Sequence, residues 1–291
     1  MNAGLRKLFF ASLTLVLCGT LPAMEWPLPD AVVVRNFGFN YQGTPTTGLV
    51  FAGDGDVLAV GDGEVIFHFS PGSGSASRFP SPLGAWMAVD HGNGLMSIYA
   101  RYEDAGAPVS LRVAQGSPVA RAGVSGWSQQ EGCYFMLYDR RERRWVNPSM
   151  ILAPFPDTIN PQIHGIQLLG ENGNLVGVFP GQSIVQGRYG IVVNATDALS
   201  ANRGSFLAPH RIISSVNGTE VGRLSLETIS ARDGLMLVNR GEQVPSRQVY
   251  ASFPAFEAAE AWFNRGQAIL EIIVQDIAGN SSTVVAHILV E

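Results

Sequence analysis

The chain has 291 residues, 46 % of them hydrophobic and 15 % charged, a balance that excludes an intrinsically disordered protein and suits folded units with sizeable cores. Its formal net charge of −5 argues against nucleic acid as a partner, because phosphate binding needs a basic face. At roughly 100–200 residues per domain, the length accommodates two domains.

Residues 1–23 read as a secretory leader. Arg6 and Lys7 give a positive start, LFFASLTLVLCGTL an apolar stretch, and Ala23 a small residue at a cleavage site. The expected mature chain begins near Met24 and is exported to the periplasm or cell envelope. Cys18 is not expected to carry lipid, since Leu17 stands where a lipoprotein signal needs a small residue. No later stretch approaches the ~20 apolar residues that span a bilayer. After cleavage Cys133 is the one remaining cysteine, so an intramolecular disulfide is not expected and stability must come from buried apolar surface.

Strand signals then dominate: DVLAV (56–60), GEVIFHF (63–69), WMAVD (86–90), MSIYARY (96–102), YFMLYD (134–139), YGIVVNA (189–195) and AILEIIVQD (268–276). Most are bounded by Gly, Asn, Asp or Pro, and 33 glycines and 17 prolines supply the turns of an all-β chain. Alternation predicts that Val57 and Ala59, or Val65 and Phe67, share a buried face. One helix is expected, FPAFEAAEAWF (253–263), on its Ala and Glu content. The proline-rich stretch 147–162 reads as a linker with a boundary near Pro156, dividing the chain into 24–153 and 154–291. A weak echo links GRYGIVVNATDA (187–198) with GQAILEIIVQDIAGN (266–280): each is a glycine, an alternating strand and a closing Asp, the pattern of ordinary sandwich strands.

Four motifs follow one another in the first unit. They are FGFNYQGTPTTGLVFAGDGDVLAVGDGEVIF (37–67), MAVDHGNGLMSIYARY (87–102), AQGSPVARAGVSG (114–126) and WVNPSMIL (145–152). Together they resemble the lysostaphin-type (LytM) metalloendopeptidases, whose β domain has the duplicated hybrid motif fold. The shared frame includes Gly48, Gly55, Val57, Ala59, Gly63, Val65 and the Asp90-His91-Gly92-Asn93-Gly94 turn. Such residues specify a fold and not, by themselves, catalysis.

The resemblance implies a zinc ion held by three protein ligands, with an open position for the attacking water. The family's His-x-Gly-hydrophobic-Asp motif, aligned on Gly48, puts Thr46 and Val50 at its two ligand positions. Counting back from Val146-Asn147-Pro148 puts Cys133 and Phe135 at the His-x-His pair, and Arg101 stands where a catalytic histidine follows Tyr-Ala. No catalytic residue, metal or cofactor is therefore expected. The vacated groove is expected to be a contact surface involving Arg101, Phe135 and Thr46. His91 reads as a turn residue held by backbone contacts, His68 as a surface residue, and Cys133 as a small buried hydrophobe. Asp139 to Arg144 reads as an exposed hairpin tip.

The second unit resembles a bacterial immunoglobulin-like β-sandwich, on LEIIVQDIAGNSSTVVAHILV (270–290) and a two-residue Asn217-Gly218 turn. Three functions compete. The leading one is a non-catalytic envelope protein with a pseudo-peptidase domain that binds peptidoglycan or regulates a wall hydrolase. The others are a zinc endopeptidase with relocated ligands, and a surface adhesin or structural protein.

Overall fold

A computed structural model describes residues 23–71, 81–104, 110–154, 156–199, 205–250 and 254–291. Apart from Ala23, the expected leader lies outside the described residues, as does Cys18. No helix among the described residues is long and apolar enough to cross a membrane.

The fold is all-β. Each expected strand is present, as Asp56–Leu58, Gly63–Phe69, Ala85–Asp90, Leu95–Tyr102, Gly132–Asp139, Gly187–Thr196 and Gly266–Gln275. The expected helix is absent. Ala255–Phe263 is a strand that pairs antiparallel with Gly187–Thr196, and Phe256 and Phe263 are fully buried. Its alanines are the small residues that close packing of the opposite sheet demands: a Cβ added to Gly222 would stand 2.5 Å from the Ala259 Cβ. Tertiary pairing thus outweighs local helix propensity.

In the first unit the antiparallel order runs Val32–Arg35, Leu49–Ala52, Gly132–Asp139, Leu95–Tyr102, Ala85–Asp90 and Gly63–Phe69. Leu49, Phe51, Val57, Met87, Val89, Tyr99, Phe135 and Leu137 form its main core. The buried Tyr99 hydroxyl accepts a hydrogen bond from the Val60 amide at 2.9 Å, so the ring enters the core without an orphaned oxygen. Val57 and Ala59 are buried as expected, but Phe67 is 45 % exposed. A register shift between Val65 and Phe67 breaks the alternation, and Phe67 instead stacks on Trp86 with centroids 4.4 Å apart.

The second unit consists of two facing sheets. One holds Leu175–Gly177, Gln162–Gly170, Gly187–Thr196 and Ala255–Phe263. The other holds Thr219–Arg232, Arg211–Val216, Gly266–Gln275 and Ser281–Val290. Leu168, Ile191, Val193 and Phe256 meet Leu224, Leu270, Ile272 and Val274 between them. Asn217 and Gly218, with φ of 51° and 78°, close the Val216–Thr219 hairpin as a two-residue loop of left-handed residues.

The units are joined by more than the linker. Arg144–Val146 pairs with Gly132–Asp139 on one side and Thr219–Arg232 on the other, so one sheet runs across the junction. Asn36 clamps Ala208 through both its amide atoms, donating to the carbonyl at 2.8 Å and accepting from the N–H at 2.9 Å. The buried Asn147 side chain donates to the Leu226 carbonyl at 3.0 Å. Phe37 sits in the second unit's core, and Leu207 in the first's.

Phe37→Ala is accordingly expected to cost ~3–5 kcal/mol, with the loss felt in the second unit. Hydrogen exchange should show reduced protection of the Gly266–Gln275 amides. Unchanged protection there would mean that Phe37 is not part of that core.

Candidate functional site

The groove arises where Leu49–Ala52 lies against Gly132–Asp139. Gly48 permits the approach, because a Cβ on it would stand 2.0 Å from the Phe135 carbonyl oxygen. This is a packing requirement, and it explains why the glycine persists when the flanking ligand positions are Thr46 and Val50. The resulting cleft of about 480 Å³ is lined by Arg35, Tyr41, Thr46, Thr47, Val50, Arg101 and Tyr134, with Trp127 and Trp145 also on its wall. Trp127 is 68 % exposed.

Arg101 has φ of 63°, in the left-handed region that non-glycine residues avoid. The register shift between Ala85 and Trp86, which face Tyr102 and Ala100, makes Arg101 the extra residue of a bulge. Its backbone N–H donates to the Leu83 carbonyl at 2.8 Å and its Nε to the Pro82 carbonyl at 3.3 Å. The bulge aims the guanidinium over the Tyr134 ring, 4.9 Å from its centroid. Burial lowers the Arg101 pKa; Tyr134 opposes that shift and Arg35 adds to it. Arg35 in turn lies 4.0 Å over the Tyr41 ring. Two cations backed by aromatic faces therefore share one cleft.

Tyr134 is the strand residue that points into this cleft. Its hydroxyl accepts from the Thr47 N–H at 3.2 Å and lies 2.9 Å from the Thr47 hydroxyl. Burial raises its pKa, opposed by Thr47 and the two arginines, so it is a neutral phenol at physiological pH. Phe135, expected as a groove contact, faces the other way: it is fully buried in the core, 5.3 Å from Tyr99 by ring centroid. Cys133 shares that face. The count back across the hairpin lands one residue off, and a one-residue slip on a strand exchanges its faces. The sequence hides the slip because Gly132–Asp139 is apolar on both faces, with Cys133, Phe135 and Leu137 in one cluster and Tyr134 and Met136 in another.

The zinc implied by the resemblance finds no matching donor set here. Such a site requires imidazole, thiolate or carboxylate ligands, whereas the groove positions offer a Thr46 hydroxyl, an aliphatic Val50, a neutral Tyr134 phenol and the Arg101 guanidinium. Cys133, the nearest soft donor in sequence, lies on the core side. His91 is a turn residue as expected: Nδ1 lies 2.7 Å from the Asp62 carbonyl oxygen and Nε2 lies 2.7 Å from the Ser97 hydroxyl. His68 is exposed on its strand. The charges of the Asp139 to Arg144 turn are partly paired, Arg140 with Asp90 of a neighbouring strand at 2.5 Å and Arg144 with Asp139 at 4.0 Å.

Two outcomes follow from the strand's orientation. Burial pushes the Cys133 thiol up to about 12, so at pH 8 it should resist thiol reagents in the folded protein and react once the protein is denatured. Phe135→Ala should cost ~3–5 kcal/mol in chemical denaturation. Rapid labelling of native Cys133, or a Phe135→Ala variant as stable as the parent, would place this face in solvent.

Residues 44–148 match the profile of Peptidase family M23. Over 126 residues the chain is 32 % identical to the Murein hydrolase activator EnvC of Escherichia coli (strain K12), a match that takes in 42 % of this chain and 27 % of EnvC. The chain thus spans about a quarter of that relative's length. Among solved structures, the catalytic domain of the prophage-encoded M23 protein EnpA from Enterococcus faecalis is 23 % identical over 41 % of this chain and 90 % of its own, with a TM-score of 0.34. A zinc-containing peptidase from Vibrio cholerae is 20 % identical over 46 % of this chain and 41 % of its own, with a TM-score of 0.36. The motif order of the first unit and the match over residues 44–148 agree in pointing to a domain similar to Peptidase family M23.

Proposed function

We propose that this chain is a non-catalytic, exported envelope protein whose M23 domain binds peptidoglycan or regulates a wall hydrolase through the cleft between Leu49–Ala52 and Leu95–Tyr102. The observation that carries the reading is the cleft's chemistry. Arg35 and Arg101 stand over aromatic rings where a hydrolase of this family would need zinc ligands. Two guanidiniums repel a metal ion and favour anionic, partly apolar groups such as peptide carboxylates. The similarity to a protein named as a murein hydrolase activator supports the same role. On this reading residues 24–153 make the contact, and residues 154–291 serve as an immunoglobulin-like spacer.

One observation bears on the relocated-ligand alternative. Among the described residues, a single group of three or more His, Cys, Asp or Glu side chains could hold a metal, Asp157, Asp197 and Asp276. It is made of oxygen donors alone, whereas catalytic zinc centres are built around histidine or cysteine. None of the three lines the Arg101 cleft.

The test is binding of residues 24–291 to purified sacculi and to candidate amidases or endopeptidases, with hydrolase activity as a second readout. Arg35→Ala combined with Arg101→Ala should weaken binding or activation at least tenfold, the scale of a ~1.4 kcal/mol contact. The melting temperature should fall little, because Arg101→Ala removes a half-buried cleft guanidinium and no core atoms. Wild-type affinity in the folded double variant would remove the cleft as the contact site.

A further inference from the structure

We infer that Asp157, Asp197 and Asp276 form a binding site for one divalent cation of the hard, oxygen-seeking class, calcium foremost, at the junction of the two units. The three residues come from separate parts of the chain: the linker, the residue after Gly187–Thr196 and the residue after Gly266–Gln275. The last two are the closing aspartates of the two echoing strands. Those strands lie in opposite sheets of the second unit, and the fold brings their ends to the same edge.

One oxygen from each carboxylate lies within 4.8 Å of the others. Oxygens bound to one calcium ion at ~2.3–2.6 Å are separated by at most ~5 Å, so a single ion can bridge all three. One neighbour, Asn280, fixes the Asp276 carboxylate and the Asp157 main chain. Asn280 donates its backbone N–H to Asp276 Oδ1 at 2.8 Å and its side-chain amide to Asp276 Oδ2 at 2.6 Å, and the same amide lies 3.2 Å from the Asp157 carbonyl oxygen. Asp157 Oδ1 also accepts from the Ile159 N–H at 3.1 Å.

Asp197 is different. It is 6 % exposed, and its Oδ1 is buried with no hydrogen-bond partner among the described residues. An ionised carboxylate oxygen buried beside two further carboxylates is unfavourable unless a proton or a cation neutralises it, and the three-carboxylate geometry suits the cation. The adjacent basic residues are engaged elsewhere: Arg211 Nη2 lies 2.6 Å from Glu227 and His210 Nε2 lies 3.8 Å from the same carboxylate. Asp157 and Asp197 open onto a cavity of about 390 Å³ whose walls also include Trp26, Asn36 and Leu207. That space admits the waters that complete a coordination shell of six to eight oxygens. A three-carboxylate set drawn from three separate segments, not arranged as an octahedral cage, suits calcium better than magnesium, which demands near-ideal octahedral geometry. Occupancy would fasten the linker to both sheets of the second unit beside the Asn36–Ala208 clamp.

The experiment uses residues 24–291 stripped with chelator and then titrated with calcium alone. Calorimetry should show one saturable site, and the melting temperature should rise with calcium and much less with equal magnesium. Terbium should compete with calcium and luminesce through Trp26 in the cavity wall. Asp197→Asn, which keeps the shape and removes the charge, should remain folded without metal and bind calcium at least tenfold more weakly. Asp157→Asn gives the same readout if that variant does not fold. No binding and no melting shift at ~10 mM calcium, above the ~0.1–1 mM at which extracellular modules bind, would overturn the proposal. So would equal calcium affinity in the wild type and a folded Asn variant, which would mark the binding as adventitious.

Discussion

The structure depends on one strand being buried on both faces. Gly132–Asp139 lies between Leu49–Ala52 and Leu95–Tyr102 and continues through its hairpin partner into the sheet of the second unit. Its alternation sends Phe135 and Leu137 into the core and Tyr134 into the cleft. Moving the register by one residue would place a phenol in the core and a phenylalanine under Arg101. The close contact at Gly48 fixes that register from the neighbouring strand, because only a residue without a Cβ lets the two backbones meet.

This constraint separates what the M23 frame needs in order to fold from what it needs in order to cleave. The glycines, the Asp90 to Gly94 turn and the Val-Asn-Pro ending serve packing and hydrogen bonding. Asn147, for example, bonds the Leu226 carbonyl and so ties the motif's end to the next unit. The positions that face the cleft are packed in another way, with Tyr134 bonded to Thr47 and clustered with Met136. There the chain carries a bulged arginine in a costly backbone conformation, held by the Leu83 and Pro82 carbonyls. Strain of that kind persists where the surroundings fix it, and here it projects a charge into the cleft.

Much of this was legible in the sequence. Alternating apolar residues bounded by glycine or asparagine turns marked the strands, and the order of four motifs marked the family. Thr46, Val50 and Arg101 line the cleft, and Gly48 and Tyr99-Ala100 anchor them locally in the sequence. What escaped was non-local. An apolar run such as GCYFMLYD carries no sign of which face meets the core, so Phe135 was assigned to the cleft in place of Tyr134. The alanines of 255–263 satisfy a facing sheet that helix propensity does not register, and the bulge before Phe67 reverses an alternation that looked regular. Arg35 and Tyr41 join the cleft through loops and short strands without a motif, and Phe37 and Leu207 exchange cores across 170 residues of sequence.

On the proposed reading, the domain similar to Peptidase family M23 keeps the family's frame without a hydrolytic centre. The most direct measurement is the zinc content of residues 24–291 prepared with zinc present, followed by incubation of the same sample with sacculi and analysis of the released fragments. Substoichiometric zinc and no cleavage of cross-bridges are expected. Stoichiometric zinc with chelator-sensitive release of peptide fragments would contradict that reading.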